Sequence, residues 1–143
     1  MKAFAVERAT ARSTQAAHDP LRRKMDCYGE DAHRRCRRER LVYDQDVHLQ
    51  IAQLAGNGTL KNSLRDVFEH IVLKKRTDGL YDPARGAAAH REHRKLFEAM
   101  ERRDVDAEVR IMRAHTREAK SNEVADLRRR QAIRDPRVAE TID

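Results

Sequence analysis

Aromatic residues are scarce in this chain of 143 residues, which has three Tyr, three Phe and no Trp. So few rings leave little for stacking on nucleic-acid bases. Turn formers are scarce too: three Pro in all, and only Gly56, Gly58 and Gly79 interrupt positions 30–80. That balance excludes a sandwich or barrel of many short strands and points to long helices with thin hydrophobic stripes. No apolar run approaches the roughly 20 residues a membrane span needs. The opening MKAFAVERAT has no apolar core of the kind a signal peptide carries, so the expected location is cytoplasmic. Cys27 and Cys36 are the only cysteines and form no CxxC-type arrangement. Two cysteines in a chain this long make no disulfide framework and are expected as reduced thiols.

What is abundant is charge. Charged residues, at 38%, nearly equal the 39% that are hydrophobic, yet the length suffices for one domain with a real core. The net charge of +7 is compatible with a nucleic-acid partner. Lys and Arg are interleaved with Asp and Glu almost throughout, however. The densest basic cluster holds Arg34, Arg35, Arg37, Arg38 and Arg40 against Glu39 alone, and it is expected as a solvated helix face.

Hydrophobic spacing divides the chain into helices. A short first helix is expected over 3–17. Asp19-Pro20 reads as a cap followed by proline at the first position of a second helix, which ends near Gly29. A third runs from about Glu30 to Ala55, with Leu41, Asp44, Val47, His48, Ile51 and Ala55 on one broad face. Gly56-Asn57-Gly58-Thr59 stops it, and Thr59 is the expected cap of a helix from about Leu60 to Arg76. After a loop over 77–81, Asp82-Pro83 opens a helix through Met100 that turns Ala89, His93, Leu96, Phe97 and Met100 inward. Asp104 caps the last, with Val105, Val109, Met112, His115 and Ala119 on its stripe. A domain over 1–128 and a frayed polar tail over 129–143 are expected.

Three of these helices carry inward histidines, and one adds a carboxylate. In Asp44-x₃-His48 the two side chains are neighbours across one turn, while His93 and His115 come from separate helices. A metal needs ligands converging from several directions, and a bundle supplies each from its own helix. One oxygen and three imidazole donors suit a divalent transition metal such as Zn²⁺, Ni²⁺, Mn²⁺ or Fe²⁺. Spacing alone leaves the alternative open: each histidine could be a hydrogen-bonded core residue and Asp44 a surface carboxylate. His18, His33, His70 and His90 make histidine common in this chain.

The stretch Asp44-Gln-Asp-Val-His48-Leu-Gln-Ile-Ala-Gln-Leu-Ala-Gly56-Asn57 resembles the "D-x-x-F-H … s-G-N" signature of the FadR C-terminal (FCD) type of effector-binding domain in GntR-type transcription regulators. Glu92-His93-Arg-Lys-Leu-Phe-Glu-Ala99-Met100 is similar to that family's "E-H-x-x-I-x-x-A-I". Asp104 through Met112-Arg-Ala-His115 is similar to "D-x₇-M-x-x-H", and Ala5 to Thr10 to the end of its first helix. Four motifs in order, over roughly residues 3–120, are far more specific than any one. The resemblance implies an all-α antiparallel bundle of six or seven helices around a central pocket. It further implies Asp44, His48, His93 and His115 as ligands of a divalent metal that takes a small organic acid effector. It implies a homodimer, and operator binding only through a winged helix-turn-helix domain not included in these residues. Val47 stands for the usual Phe and Glu108 for the usual Ala. The start of the family's first helix, with its frequent effector-binding arginine, is also missing.

The leading expectation is therefore a regulatory, ligand-sensing domain, not an enzyme, with no membrane partner. Arg65 is a candidate clamp for a second effector carboxylate. A small helical metal-dependent hydrolase is one alternative; Asp46 and Glu92 adjoin ligands, but i+1 neighbours on a helix point about 100° apart. A basic helical nucleic-acid-binding protein is the other.

Overall fold

The computed structural model describes residues 2–30, 37–76 and 83–134. They form six helices: α1 (Lys2–Arg12), α2 (Gln15–Glu30), α3 (Arg37–Leu54), α4 (Gly58–Arg76), α5 (Pro83–Glu101) and α6 (Val105–Arg134). No strand occurs among the described residues, in line with the all-α expectation. Helix α1 packs on α6 and α3, α4 covers α3, α5 lies along α6, and α2 closes over α5 and α3.

Each helix buries one stripe. Residues 18, 21, 25 and 28 of α2, and Leu60, Leu64 and Phe68 of α4, keep the spacing of a single helix face. Val6, Leu21, Met25, Val47, Ile51, Leu96, Met100 and Met112 are almost wholly buried and form one continuous core. Removing such a side chain from water contributes roughly 1.5–3 kcal/mol, and together these stripes fix which face of each helix turns inward.

The helix ends explain where the chain turns. Gly56 has φ 67 and follows α3 as a left-handed cap: its N–H donates to the Gln53 carbonyl at 2.9 Å, and Asn57 N–H reaches Ala52 at 3.5 Å. Asn57, not Thr59, then caps α4, its Oδ1 accepting from Leu60 N–H at 2.9 Å. Arg103, with φ 56, ends α5 by the same pairing, and Asp104 Oδ1 caps α6 at Ala107 N–H, 3.0 Å, as its sequence position predicts.

Two boundaries differ from expectation. The first break falls at Ser13-Thr14, and Pro20 lies inside α2. Thr14 Oγ1 accepts from Ala17 N–H at 3.3 Å, and Ser13 Oγ, buried, contacts the Ala9 carbonyl and His18 Nε2, both at 2.6 Å. Two adjacent hydroxyls thus end one helix and start the next before Asp19 is reached. At the other end, α6 continues past Leu127 to Arg134, since no Gly or Pro interrupts it before Pro136. Its buried stripe is also rotated from the expected one. Ala107, Glu108, Met112 and His115 are buried, whereas Val105 and Val109 are half-buried and Ala119 is exposed. Arg34, Arg35, Cys36 and the expected 77–81 loop lie outside the described residues; Cys27 is a free, exposed thiol and Arg38 is exposed.

Candidate metal centre

Asp44 and His48 on α3, His93 on α5 and His115 on α6 meet at one point inside the bundle. Asp44 Oδ1 lies 3.3 Å from His93 Nε2, 3.7 Å from His48 Nε2 and 3.9 Å from His115 Nε2. His48 and His115 approach through the same ring atom, Nε2 to Nε2, at 3.3 Å. All four donor atoms fall within 4.8 Å of one another. Two donors each about 2.1 Å from a shared metal at a tetrahedral angle stand roughly 3.4 Å apart, and the separations of 3.3–3.9 Å are close to that.

Burial sharpens the fit. The three histidines are among the most buried polar residues, while Asp44 is half-buried. Desolvation pushes the His48 and His93 pKa values well below the ordinary 6.5, helped by the Lys2 ammonium and by the neighbouring imidazoles. Both rings are therefore neutral near pH 7, the protonation state a metal ligand requires. Neither nitrogen of His93 has a protein hydrogen-bond partner, and His48 Nδ1 has none. Orphaned buried nitrogens are costly. Outside the cluster, His18 Nε2 meets Ser13 while its Nδ1, like that of His48, has no partner; His70 Nδ1 meets the Asp66 carbonyl at 2.7 Å and His90 Nδ1 the Tyr43 hydroxyl at 3.0 Å. Each of those three has a protein hydrogen bond at one ring nitrogen, and only His93 among the described histidines has none at either. A cation at the cluster would take the Nε2 lone pairs, of which that of His93 has no protein hydrogen-bond partner, so these residues fit a divalent metal.

The surroundings come from elements far apart in sequence. Phe68 of α4 stacks against His48, with ring centroids 5.5 Å apart, and Tyr43 meets the His93 ring edge-on. The Lys2 ammonium lies 4.9 Å from the Phe68 centroid; burial lowers its pKa and the Asp44 charge opposes that. His115 Nδ1 contacts Glu92 Oε2 at 2.6 Å, and Arg85 grips the same carboxylate with Nη1–Oε1 at 2.8 Å and Nη2–Oε2 at 3.2 Å. Burial alone would raise the Glu92 pKa, but the hydrogen bonds from Arg85 and His115 outweigh it and hold the carboxyl below its ordinary 4.5. Arg65 is not brought to the cluster: it is exposed on α4 and its guanidinium faces Asn62 Oδ1 at 3.4 Å. Asp46, the other carboxylate near a cluster residue in sequence, pairs with Lys24 at 2.6 Å between α3 and α2.

With this geometry in place, the comparison with known families is decisive. The family model of the FCD domain matches residues 1–118. The chain belongs to the FCD domain family. Such domains are the regulatory, effector-binding part of GntR-type regulators; they bind small molecules and dimerise in those proteins. No curated protein and no solved structure matches this FCD domain. The match spans all four clustered residues, and α6 continues beyond its end. No helix among the described residues is long and apolar enough to cross a membrane.

Proposed function

We propose that this FCD domain senses a small organic acid through a divalent metal held by Asp44, His48, His93 and His115. The observation that carries the reading is the convergence of one donor atom from each of Asp44, His48, His93 and His115 within 4.8 Å, with all three Nε2 atoms 3.3–3.9 Å from Asp44 Oδ1. When bound, the metal supplies a Lewis-acidic anchor with coordination positions open to a ligand. One carboxylate and three neutral imidazoles leave a divalent cation with net positive charge. Lys2 beside Asp44 adds more, so the complementary ligand is an anion. Zn²⁺, Ni²⁺, Mn²⁺ and Fe²⁺ all accept this donor set.

The role is read as regulatory, not catalytic. The carboxylates adjoining the ligands are engaged, Asp46 with Lys24 and Glu92 with Arg85 and His115, which leaves no carboxylate beside a ligand free as a general base. Residues 1–128 form the sensing unit and 129–143 a polar tail. The unit works as a homodimer in a cytoplasmic regulator, with operator contact made by a winged helix-turn-helix domain. Effector binding shifts the population between arrangements of the dimer.

Metal analysis by mass spectrometry on gently purified protein tests this directly. The expected result is about one transition metal per chain, lost in a His48→Ala/His93→Ala variant, with small carboxylic acids raising the Tm of the metal-loaded protein alone. Absence of metal after incubation with Zn²⁺, Ni²⁺ and Mn²⁺ would sink the reading.

A further inference from the structure

Among the three ligand histidines, one ring is treated differently from the others. A ligating Nε2 must present its lone pair to the metal, so the ring proton has to sit on Nδ1. His48 and His93 have no protein acceptor at Nδ1. His115 has one, Glu92 Oε2 at 2.6 Å, while its Nε2 faces Asp44 and the His48 ring. Against a carboxylate that nitrogen must be the donor.

Glu92 is the residue before the ligand His93 on α5, so its side chain leaves the helix about 100° away from the His93 ring. That offset carries it behind His115 of α6. Arg85, two turns earlier on α5, closes on Glu92 with both guanidinium nitrogens. Such a bidentate fork fixes the plane of the carboxylate as well as its position.

We propose that Glu92 is a positioning residue for the metal centre, holding His115 in the tautomer and orientation that can ligate, with Arg85 fixing Glu92 in turn. The inference rests on the metal-sensing reading above. Its consequence is a hierarchy among the ligands: His115 is preorganised before metal arrives, whereas His48 and His93 are oriented by packing alone. A carboxylate behind a ligand imidazole also raises its basicity, and losing such a partner typically costs 10–100-fold in metal affinity.

The test is a Co²⁺ titration followed by absorption, with Zn²⁺ in competition, on wild type, Glu92→Ala, Glu92→Gln and Arg85→Ala. Alongside it, ¹⁵N NMR of the imidazoles in metal-free protein reads the tautomer of His115. Glu92→Ala is expected to weaken binding 10–100-fold and to shift His115 away from the Nδ1–H form. Glu92→Gln, whose amide oxygen still accepts the Nδ1 hydrogen bond, should recover most of the affinity, and Arg85→Ala should fall between. Equal affinity in wild type and Glu92→Ala overturns this inference and leaves the metal reading intact. So does a Gln variant as weak as the Ala variant, or an unchanged His115 tautomer in Glu92→Ala. A wild type that binds neither metal overturns the metal reading and this inference with it.

Discussion

The residue that departs most from its neighbours is Glu108, a fully buried carboxyl on α6. Its two oxygens lie 2.8 and 2.9 Å from Oγ1 of Thr10 on α1. One hydroxyl has one proton to give, so two full hydrogen bonds form when the carboxyl keeps its own proton and returns it to Oγ1. Burial pushes the Glu108 pKa up to about 7; the Thr10 hydrogen bond and Arg103 pull it down, and Asp104 pushes the same way as burial. The folded state therefore holds this proton more tightly than the unfolded chain does. The resulting stability is fully present below the unfolded value near 4.5 and is lost as pH rises through about 7. Neutral His48 and His93 act oppositely, lowering stability as pH falls below 6.5, because unfolding lets them take up protons. Those histidines are common to wild type and Glu108→Gln, so the difference between the two isolates Glu108. In urea unfolding of metal-free protein, wild type should lose roughly 1–3 kcal/mol relative to Glu108→Gln between pH 5 and pH 8. Parallel pH profiles would show that the carboxyl is already ionised in the fold.

At the scale of elements, the boundaries follow local capping chemistry more closely than proline. Asp104 caps α6 where its sequence position predicts, because the residue, the spacing and the inward stripe all agree. Asp19-Pro20 carries a similar signal, yet α2 starts earlier. His18 is buried against Phe97, with ring centroids 5.9 Å apart, and Leu21 and Met25 are on the same stripe. That packing holds the turn before Pro20 in the helix. Proline there has no N–H for the Ala16 carbonyl and crowds the preceding turn, and its own ring is exposed. Pro20→Ala is therefore expected to stabilise the protein by about 1–3 kcal/mol in chemical denaturation. A neutral or destabilising result would instead mark Pro20 as a first-turn residue. Arg103 shows the converse: its guanidinium donates to the Thr10 and Ser13 carbonyls at 3.0 and 2.9 Å, closing the end of α1 from another helix turn. No spacing rule connects residues that far apart in the chain.

On the scale of the whole molecule, α3, α5 and α6 each supply side chains to the Asp44–histidine cluster, while α1 and α4 bring Lys2 and Phe68 against it. Because the clustered residues lie on the same stripes as Val47, Leu96 and Met112, core packing and the placement of the cluster are one requirement. Ion pairs between Arg22 and Glu101, and between Arg94 and Asp26, join α2 to α5 across the exterior. Several large apolar side chains remain outside: Phe4 is 52% exposed, Val67 49% and Leu73 62%. Family membership points to a dimer, and a second copy would cover some of this surface. Light scattering after gel filtration should give twice the chain mass of 16.6 kDa. A mass that stays at one chain would remove the dimer from the proposed mechanism.

Helix count, the inward faces of α3 and α5 and the four clustered residues were all legible in the sequence, because each rests on periodicity or on motif residues a few positions apart. The α6 stripe, expected on Val105, Val109 and Ala119 as well as Met112 and His115, is rotated onto Glu108, since neighbouring helices select among faces of similar polarity. What only the tertiary structure decided is who stands behind the site. Glu92 behind His115, Lys2 beside Asp44, Phe68 against His48 and Thr10 on Glu108 all join side chains from different helices. Composition and spacing encode the face a residue occupies. They do not encode which polar group on a facing helix will satisfy it, because that depends on how the helices rotate and settle against one another once their apolar stripes are buried.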